Sequence, residues 1–233
     1  MRKYLLWGTM LLLGARSLAG GVKPQAGLES YFGPNRVRLL TPWLGLRIPV
    51  SPQASILLKY YHHNIRFDYV GNDDQTRERT AVLSNFTGAL YAQMGRHEVY
   101  SALSLFSGTD SYSALAFDGG MGLKLADRLT LELGTYLVSE DSILWYPEDA
   151  GRRIHLYSAK AGFKYKLTRW LTLNPRLHIY RNSDDVDAAT YALGILISPV
   201  DPVYLSVVYL HYTESALYKF AGDYLSVGLN FYY

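Results

Sequence analysis

The residues best suited to chemistry lie in two neighbouring segments of the chain, 160–166 and 174–178. Their amine, amide, guanidinium and imidazole groups recur at even spacings, at Lys160, Lys164, Lys166, Asn174, Arg176 and His178. Side chains two or four positions apart point to the same face of a β-strand. Cationic and amide groups that share a face can bind carboxylates and phosphates through charge-assisted hydrogen bonds. If both segments are strands, the chemistry that they offer is the binding of anions.

The segment LTLNPRLHIY, residues 171–180, shows the pattern that positions these groups. Leucine or isoleucine alternates with polar side chains along most of it, so one face is apolar and the other polar. In a soluble sheet the apolar face packs on a core and the polar face meets water. In a membrane barrel the apolar face meets lipid and the polar face lines the interior. The two arrangements give Arg176 and His178 opposite surroundings.

The same alternation recurs along the chain, for example in residues 129–137, 191–198 and 225–233. No segment carries a clean helical period with caps. The breaks between the alternating segments are short at 49–52, 95–96, 126–128, 168–169 and 199–202, and longer at 68–79, 107–113, 139–152, 181–187 and 213–219. Short and long breaks alternate, as an up-and-down meander requires. The sequence therefore predicts an all-β fold, an antiparallel up-and-down transmembrane barrel of about twelve strands, with both termini at the rim of short turns.

Prolines and glycines qualify this strand count. Pro42 interrupts the second candidate strand, and residues 56–58 break the alternation in the third, so ten strands remain an alternative. Pro175 has no N–H to donate to a neighbouring strand, which predicts a bulge or a lost ladder bond near the short-turn rim. The glycine-rich run at residues 119–122 predicts a bend or bulge that curves its strand.

The first nineteen residues form a predicted signal peptide, with Arg2 and Lys3 followed by an apolar run and small residues before the cleavage site. Residues 20–233 then form one predicted barrel domain. Of the 23 basic side chains in the chain, three lie in the signal and no acidic ones do, which leaves twenty of each sign. This balance gives no indication of nucleic-acid binding. With no cysteine, the exported chain has neither disulfides nor a lipid-modified cysteine.

An exported soluble barrel or β-sandwich would also show alternating strands. Its connections would not sort into short and long, and its outward face would be charged. Here the polar members of the alternation are often Gly, Ser, Thr and Asn, and tyrosine occurs 21 times. Tyrosine is enriched at the lipid headgroup level of membrane proteins. The transmembrane barrel is therefore favoured over a soluble β-protein.

The C-terminal segment DYLSVGLNFYY ends in an aromatic residue with apolar residues at alternate positions before it: Leu225, Val227, Leu229, Phe231 and Tyr233. It resembles the C-terminal signature of bacterial outer-membrane β-barrels, and residues 178–209 resemble the YaiO-like barrels. The resemblance implies a monomer in the outer membrane of a Gram-negative cell envelope. The partners that it implies are the barrel-insertion machinery, which reads the signature, and membrane lipid and lipopolysaccharide.

If the apolar faces meet lipid, the predicted lumen-lining residues are Arg47, Lys59, Lys124, Glu132, Lys160, Lys164, Lys166, Arg176 and His178. A basic strip in a low-dielectric tube concentrates anions. One hypothesis is a passive channel for small solutes with an anion-favouring lumen, by analogy with small porins of about twelve strands. The alternative is a closed barrel in which Glu29, Asp118 and Glu132 neutralise the cations. Such a barrel would act structurally or as a partner of an export or surface-polysaccharide system.

Enzyme activity is the least favoured hypothesis. Outer-membrane phospholipases carry a serine two residues after a histidine, and outer-membrane aspartyl-type proteases carry an Asp-x-His pair. Neither spacing occurs in this sequence. The acidic pairs at Asp73 and Asp184 fall in long breaks, where solvated carboxylates are usual. We predict no catalytic residue, no metal site and no cofactor, and the outer-rim hydrolase remains only as a minor alternative.

Overall fold

The computed structural model describes residues 21–71, 73–141, 151–214 and 220–232, so the predicted signal peptide at 1–19 lies outside them. Twelve strands follow one another: β1 Lys23–Phe32, β2 Arg38–Ser51, β3 Ala54–Val70, β4 Thr76–Met94, β5 His97–Gly108, β6 Ser113–Ala126, β7 Leu129–Asp141, β8 Arg153–Lys166, β9 Leu171–Asn182, β10 Asp187–Val200, β11 Val203–Tyr212 and β12 Gly222–Tyr232. Each strand pairs antiparallel with the next, and β1 pairs with β12 to close the barrel. The predicted barrel is confirmed, and its strand number is twelve.

The two rims of the barrel differ in the length of their connections. At one rim, here called the short-turn rim, neighbouring strands are joined across residues 52–53, 95–96, 127–128, 167–170 and 201–202. The other rim, here called the long-loop rim, carries the remaining connections, including the long ones before β8 and β12. β1 begins and β12 ends at the short-turn rim, as an even strand number requires. In outer-membrane barrels this rim faces the periplasm.

Alternation along each strand sorts side chains to the outside or the inside of the barrel. On β9 the side chain of Ile179 is 58% exposed on the outer surface, whereas that of the next residue, Tyr180, is 8% exposed inside. Leucine, phenylalanine and valine occupy outward positions on most strands, for example Leu44, Phe86 and Leu193. Together these outward side chains form an apolar belt, and an apolar belt on a closed barrel indicates a lipid-facing surface. No helix in the described ranges is long and apolar enough to cross a membrane.

Prolines interrupt the ladder without ending the strands. β2 runs through Pro42 and stays paired with β1, but its pairing with β3 skips from Leu40 to Trp43. β9 runs through Pro175 and stays paired with β10, while its pairing with β8 skips from Arg176 to Leu173. Each gap follows from the missing proline N–H. The loss of a ladder bond predicted at Pro175 is therefore confirmed, and the register on either side of it is unchanged.

The glycine-rich run does not form the predicted bulge. β6 keeps an unbroken register with β5 and β7 through residues 119–122, and its register shift lies further on, between Lys124 and Ala126. A Cβ on Gly120 would lie 2.7 Å from the carbonyl oxygen of Leu133 and 2.9 Å from the Tyr100 ring. Glycine at position 120 allows the close approach of the neighbouring strand and of an inward tyrosine.

Candidate functional site

The barrel interior is divided into two halves that differ in chemistry. In the half next to the long-loop rim, inward side chains from nine strands and two adjoining connections form one buried cluster. Its members are Val37, Ile65, Phe67, Ala81, Leu83, Tyr112, Ala114, Ala116, Val138, Ile154, Leu156, Tyr180, Ala188, Tyr212 and Tyr224. We call this group the outer cluster. Because the cluster draws on nine of the twelve strands, its side chains narrow this part of the interior.

Aromatic contacts hold the outer cluster together. The Tyr212 and Tyr224 rings meet edge to face with centroids 5.0 Å apart, and the hydroxyls of Tyr31 and Tyr212 lie 3.3 Å apart. The Phe67 ring, which is fully buried, lies 5.9 Å from that of Phe220. Edge-to-face aromatic pairs are more favourable than their buried area alone predicts. The cluster is thus a packed constriction of the lumen.

The half next to the short-turn rim contains a polar cavity of about 1040 Å³. It lies against β4 to β10 and reaches the turns at Arg96 and Arg128. Among the described residues, its charged and imidazole lining consists of Arg96, Glu98, Asp118, Lys124, Asp127, Arg128, Glu132, Lys160, Lys164, Lys166, Arg176 and His178. Apart from His178, seven of these side chains are lysine or arginine and four are aspartate or glutamate. We call this space the basic vestibule.

A second cavity of about 280 Å³ continues from the vestibule toward the outer cluster. The two cavities share Asp118, Lys160, Arg176 and His178. Its walls then change to Tyr180, Tyr212 and smaller side chains that belong to the outer cluster or adjoin it. The interior therefore narrows from a charged vestibule to a tyrosine-lined pocket, and the shared charged residues lie at the junction.

Carboxylates neutralise two of the vestibule lysines. Lys160 forms an ion pair with Asp118, whose Oδ1 also accepts a hydrogen bond from the Tyr100 hydroxyl at 3.0 Å. Lys164 forms an ion pair with Glu132 at 2.6 Å. Asp118 and Glu132, which the sequence analysis offered as partners for interior cations, therefore each form an ion pair with a vestibule lysine. Ion pairs also fix where the two lysines point.

Arg176 has a different environment. Its side chain lies at the junction of the two cavities, and its buried Nε–H has no hydrogen-bond acceptor. Across the strand pair, a Cβ on Gly162 would lie 2.6 Å from Cγ of Arg176, so only glycine leaves room for this side chain. Buried donors without a partner are uncommon and cost free energy. Arg176 therefore brings a positive charge to the junction of the two cavities.

Two predicted lumen residues lie away from the vestibule lining. Lys59 Nζ is 4.1 Å from the Trp43 ring centroid and within 6 Å of the Tyr61 and Tyr232 rings, which enclose it on the β1–β3 and β12 side. This arrangement is a cation–π site for the protein's own lysine. Arg47 donates from Nε to the Ser55 hydroxyl at 2.9 Å.

The remaining seven predicted lumen residues all line the vestibule: Lys124, Glu132, Lys160, Lys164, Lys166, Arg176 and His178. Register places them on adjoining strands, with Lys160 opposite His178 and Lys166 opposite Thr172. Sequence reasoning missed Arg96 and Arg128, because both lie in turns where no alternation assigns a face. It also missed the outer cluster, although Tyr180 and Tyr212 follow the same inward alternation as the polar residues.

The acidic residues singled out at the long-loop rim are paired with arginines. Asp73 pairs with Arg77 at 2.5 Å, and Asp184 pairs with Arg152 at 2.5 Å. Within the described ranges, no group of three or more His, Cys, Asp or Glu side chains could hold a metal ion. One histidine–carboxylate pair, His211 with Asp223 at 2.8 Å, lies on the outer surface, and the same carboxylate oxygen also binds the Tyr209 hydroxyl.

Comparisons with known proteins bear on the fold. No protein-family model and no curated protein matches the chain. Among solved structures, an outer membrane channel from Pseudomonas putida F1 is similar with a TM-score of 0.67 and 11% identity, covering 92% of this chain and 96% of that one. The KdgM porin in complex with disordered oligogalacturonate has a TM-score of 0.61 at 8% identity, covering 89% and 98%. The β domain of the Bordetella autotransporter BrkA has a TM-score of 0.60 at 12% identity, covering 91% and 99%.

These similarities and the apolar belt define the class of the protein. It is a twelve-stranded β-barrel of the outer-membrane type. Barrels of this class include channels, porins and autotransporter domains, so the fold alone does not assign the function, and the interior must do so.

Proposed function

We propose that the protein is a passive channel of the outer membrane for small anionic solutes, without enzymatic activity. The observation that carries the proposal is the position of Arg176, whose positively charged side chain lies where the vestibule meets the narrower tyrosine-lined pocket. An anion that passes from one cavity to the other comes within reach of this group. A fixed cation at a constriction lowers the electrostatic barrier for anions and raises it for cations.

The wider vestibule supports the same selectivity. Basic side chains outnumber carboxylates in its described lining, and two of the carboxylates are held by Lys160 and Lys164. Low-dielectric walls focus the field of the remaining cations into the water-filled space. The similarity to an outer membrane channel and to the KdgM porin is compatible with this role.

Contacts with the membrane follow from the same proposal. The outward leucines of the barrel would lie in the hydrocarbon layer, and lipopolysaccharide would meet the long-loop rim. Leu225, Val227 and Leu229 of the C-terminal signature all face outward, where the insertion machinery can reach them. Tyr233, the last residue of that signature, lies outside the described residues.

Reversal potentials of the refolded protein in a planar bilayer test the channel. In a salt gradient we expect anion selectivity, and Arg176→Gln should shift the permeability ratio of chloride to potassium toward unity. Arg181→Gln is the matched control, because Arg181 lies on the same strand, faces outward and pairs with Asp185 at 2.8 Å. The control should keep the wild-type ratio. An absence of ion current from the wild-type barrel would exclude the channel.

The outer cluster favours a second candidate, the closed barrel. Fifteen buried hydrophobic side chains fill the lumen next to the long-loop rim among the described residues. A barrel that stays closed would act structurally or as a partner of an export or surface-polysaccharide system. The same bilayer recording separates the two candidates, because a closed barrel carries no current at any voltage.

A further inference from the structure

The two rims of the barrel carry charge in different ways. At the long-loop rim, most arginines are paired with carboxylates: Arg36 with Asp68, Arg66 with Glu78, Arg77 with Asp73, Arg79 with Asp110, Arg152 with Asp184, and Arg181 with Asp185. Within the described ranges, Arg38 and Arg153 are the two arginines of this rim that have no carboxylate partner. Paired charges largely cancel beyond a few ångströms, so these described arginines contribute little net field to solutes outside.

Cations at the short-turn rim lack such partners. Of the basic residues that line the vestibule, Arg96, Arg128 and Lys166 have no carboxylate within ion-pair distance among the described residues, and Lys124 has only the exposed Asp127 at 3.4 Å. The backbone N–H of Lys166 donates to the carbonyl of Arg128 at 2.9 Å, which holds the two residues side by side. Glu98 also lines the vestibule, so two carboxylates, Glu98 and Asp127, lie among the four cations. Positive charge is therefore concentrated at this mouth.

The shape of the interior restricts access to the same side. The vestibule lining includes Arg96, Asp127 and Arg128 from the turns, so the space reaches the short-turn rim. At its other end the outer cluster constricts the lumen. A solute that fills the vestibule therefore enters from the side that faces the periplasm in barrels of this class.

We infer that the basic vestibule is a binding site for a small organic polyanion that enters from the periplasmic side. Several separated cations match a ligand with two or more carboxylate or phosphate groups better than a single-charged ion. The volume of about 1040 Å³ fits a small molecule rather than a folded domain. The stacked rings of Tyr91 and Tyr100, 5.8 Å apart, offer an apolar wall to its carbon skeleton. The inference rests on the proposed function only in taking the bound anion to be the transported solute.

Calorimetric titration of the refolded barrel in a zwitterionic detergent tests the binding site without measuring current. The probes are benzenehexacarboxylate and inorganic tripolyphosphate, with benzoate as the singly charged comparison. At an ionic strength of about 50 mM, the Debye length still exceeds ~10 Å and charge contacts are measurable. We expect both polyanions to bind and benzoate to bind much more weakly.

Two double variants of equal charge locate the site. Arg128→Gln with Lys166→Gln removes two cations at the short-turn rim and should raise the Kd by about tenfold, since two partly screened charge contacts are lost. Arg38→Gln with Arg153→Gln removes two cations without carboxylate partners at the long-loop rim and should leave the Kd within about twofold. Heat-modifiable migration in gels verifies that each variant has folded.

The outcomes separate this inference from the proposed function. Polyanion binding without any ion current would sustain the site and exclude the channel, whereas anion-selective current without binding would overturn the site alone. Equal weakening by both double variants would show non-specific charge attraction and overturn it as well. A fifty-residue polyglutamate that binds far more tightly than benzenehexacarboxylate would indicate an extended acidic partner on the rim, which contradicts a small ligand.

Discussion

Asn174 shows how one interior residue links the fold to the vestibule. Its Nδ2 donates to the carbonyl of Phe163 at 2.9 Å and to Glu132 at 2.8 Å. Phe163 is the residue of β8 that faces Pro175, so the amide of Asn174 replaces the bond that the proline N–H cannot make. The same amide holds the carboxylate that pairs with Lys164.

Asn174→Ala should therefore lower the free energy of unfolding by about 1–3 kcal/mol, because a backbone carbonyl and a carboxylate lose their donor. Urea unfolding of the barrel in detergent, followed by tryptophan fluorescence, measures the change. Asn64→Ala is the control, because Asn64 is exposed on the outer surface of β3. Equal midpoints for the two variants would show that the Phe163 carbonyl does not need this amide.

Sequence alternation assigned a face to the lumen candidates on the strands, but it could not say which residue each of them meets. Lys160 and Asp118 are 42 positions apart, and their contact depends on the registers of β6 with β7 and of β7 with β8. Those registers follow from turn geometry and from the shift between Lys124 and Ala126, which leaves no periodic trace in the sequence. Odd or even position along a strand thus predicts the lumen candidates, whereas their contacts with one another require the structure.

At the scale of strands, interior glycines set how closely β6, β7 and β8 approach. A Cβ on Gly134 would lie 2.5 Å from the carbonyl oxygen of Gly119 and 2.7 Å from Cε of Lys160. Gly134→Ala should lower the free energy of unfolding by about 1–3 kcal/mol, because backbone and the half-buried Lys160 side chain must move. Urea midpoints measure this change.

Gly88→Ala provides the matched control. Gly88 lies on the outer surface of β4, where a Cβ would meet only Leu58 Cδ2 at an ordinary 3.9 Å. The substitution should be neutral or stabilising by up to about 1 kcal/mol, because alanine loses less backbone entropy on folding. If both glycine variants unfolded at the same urea concentration, crowding at Gly134 would not limit the strand approach.

Strand number and the two kinds of connection could be predicted, because turn residues interrupt a period of two at intervals set by membrane thickness. Of the two alternatives predicted for residues 119–122, a bend or a bulge, the bulge is absent. A glycine can also be required by the close approach of neighbouring strands. The sequence of one strand does not show which side chains of the neighbouring strands lie opposite it. Pro175 was easier to interpret, because a missing N–H has the same consequence in any neighbourhood.

For the whole molecule, the outer cluster is the feature that we expect to limit conduction through the lumen. Parity places Tyr31, Tyr180, Tyr212 and Tyr224 inside the barrel, but it does not say how far each ring reaches across the interior. That reach depends on rotamers that pack against partners from strands far apart in sequence. An open or a constricted lumen therefore could not be predicted from the sequence, although the same residues line it in either case.

Tyr212→Ala tests the constriction, because this ring both lines the second cavity and packs on Tyr224 in the outer cluster. Removing it should extend the second cavity toward the long-loop rim and raise single-channel conductance roughly twofold or more, as a wider constriction admits more hydrated ions. Tyr191→Ala removes an outward ring, 54% exposed, from the neighbouring strand and should leave conductance unchanged. If wild-type barrels carry no current and Tyr212→Ala barrels do, the cluster is the closure of the closed-barrel candidate. If Tyr212→Ala conducts no better than Tyr191→Ala, the cluster does not limit ion flow.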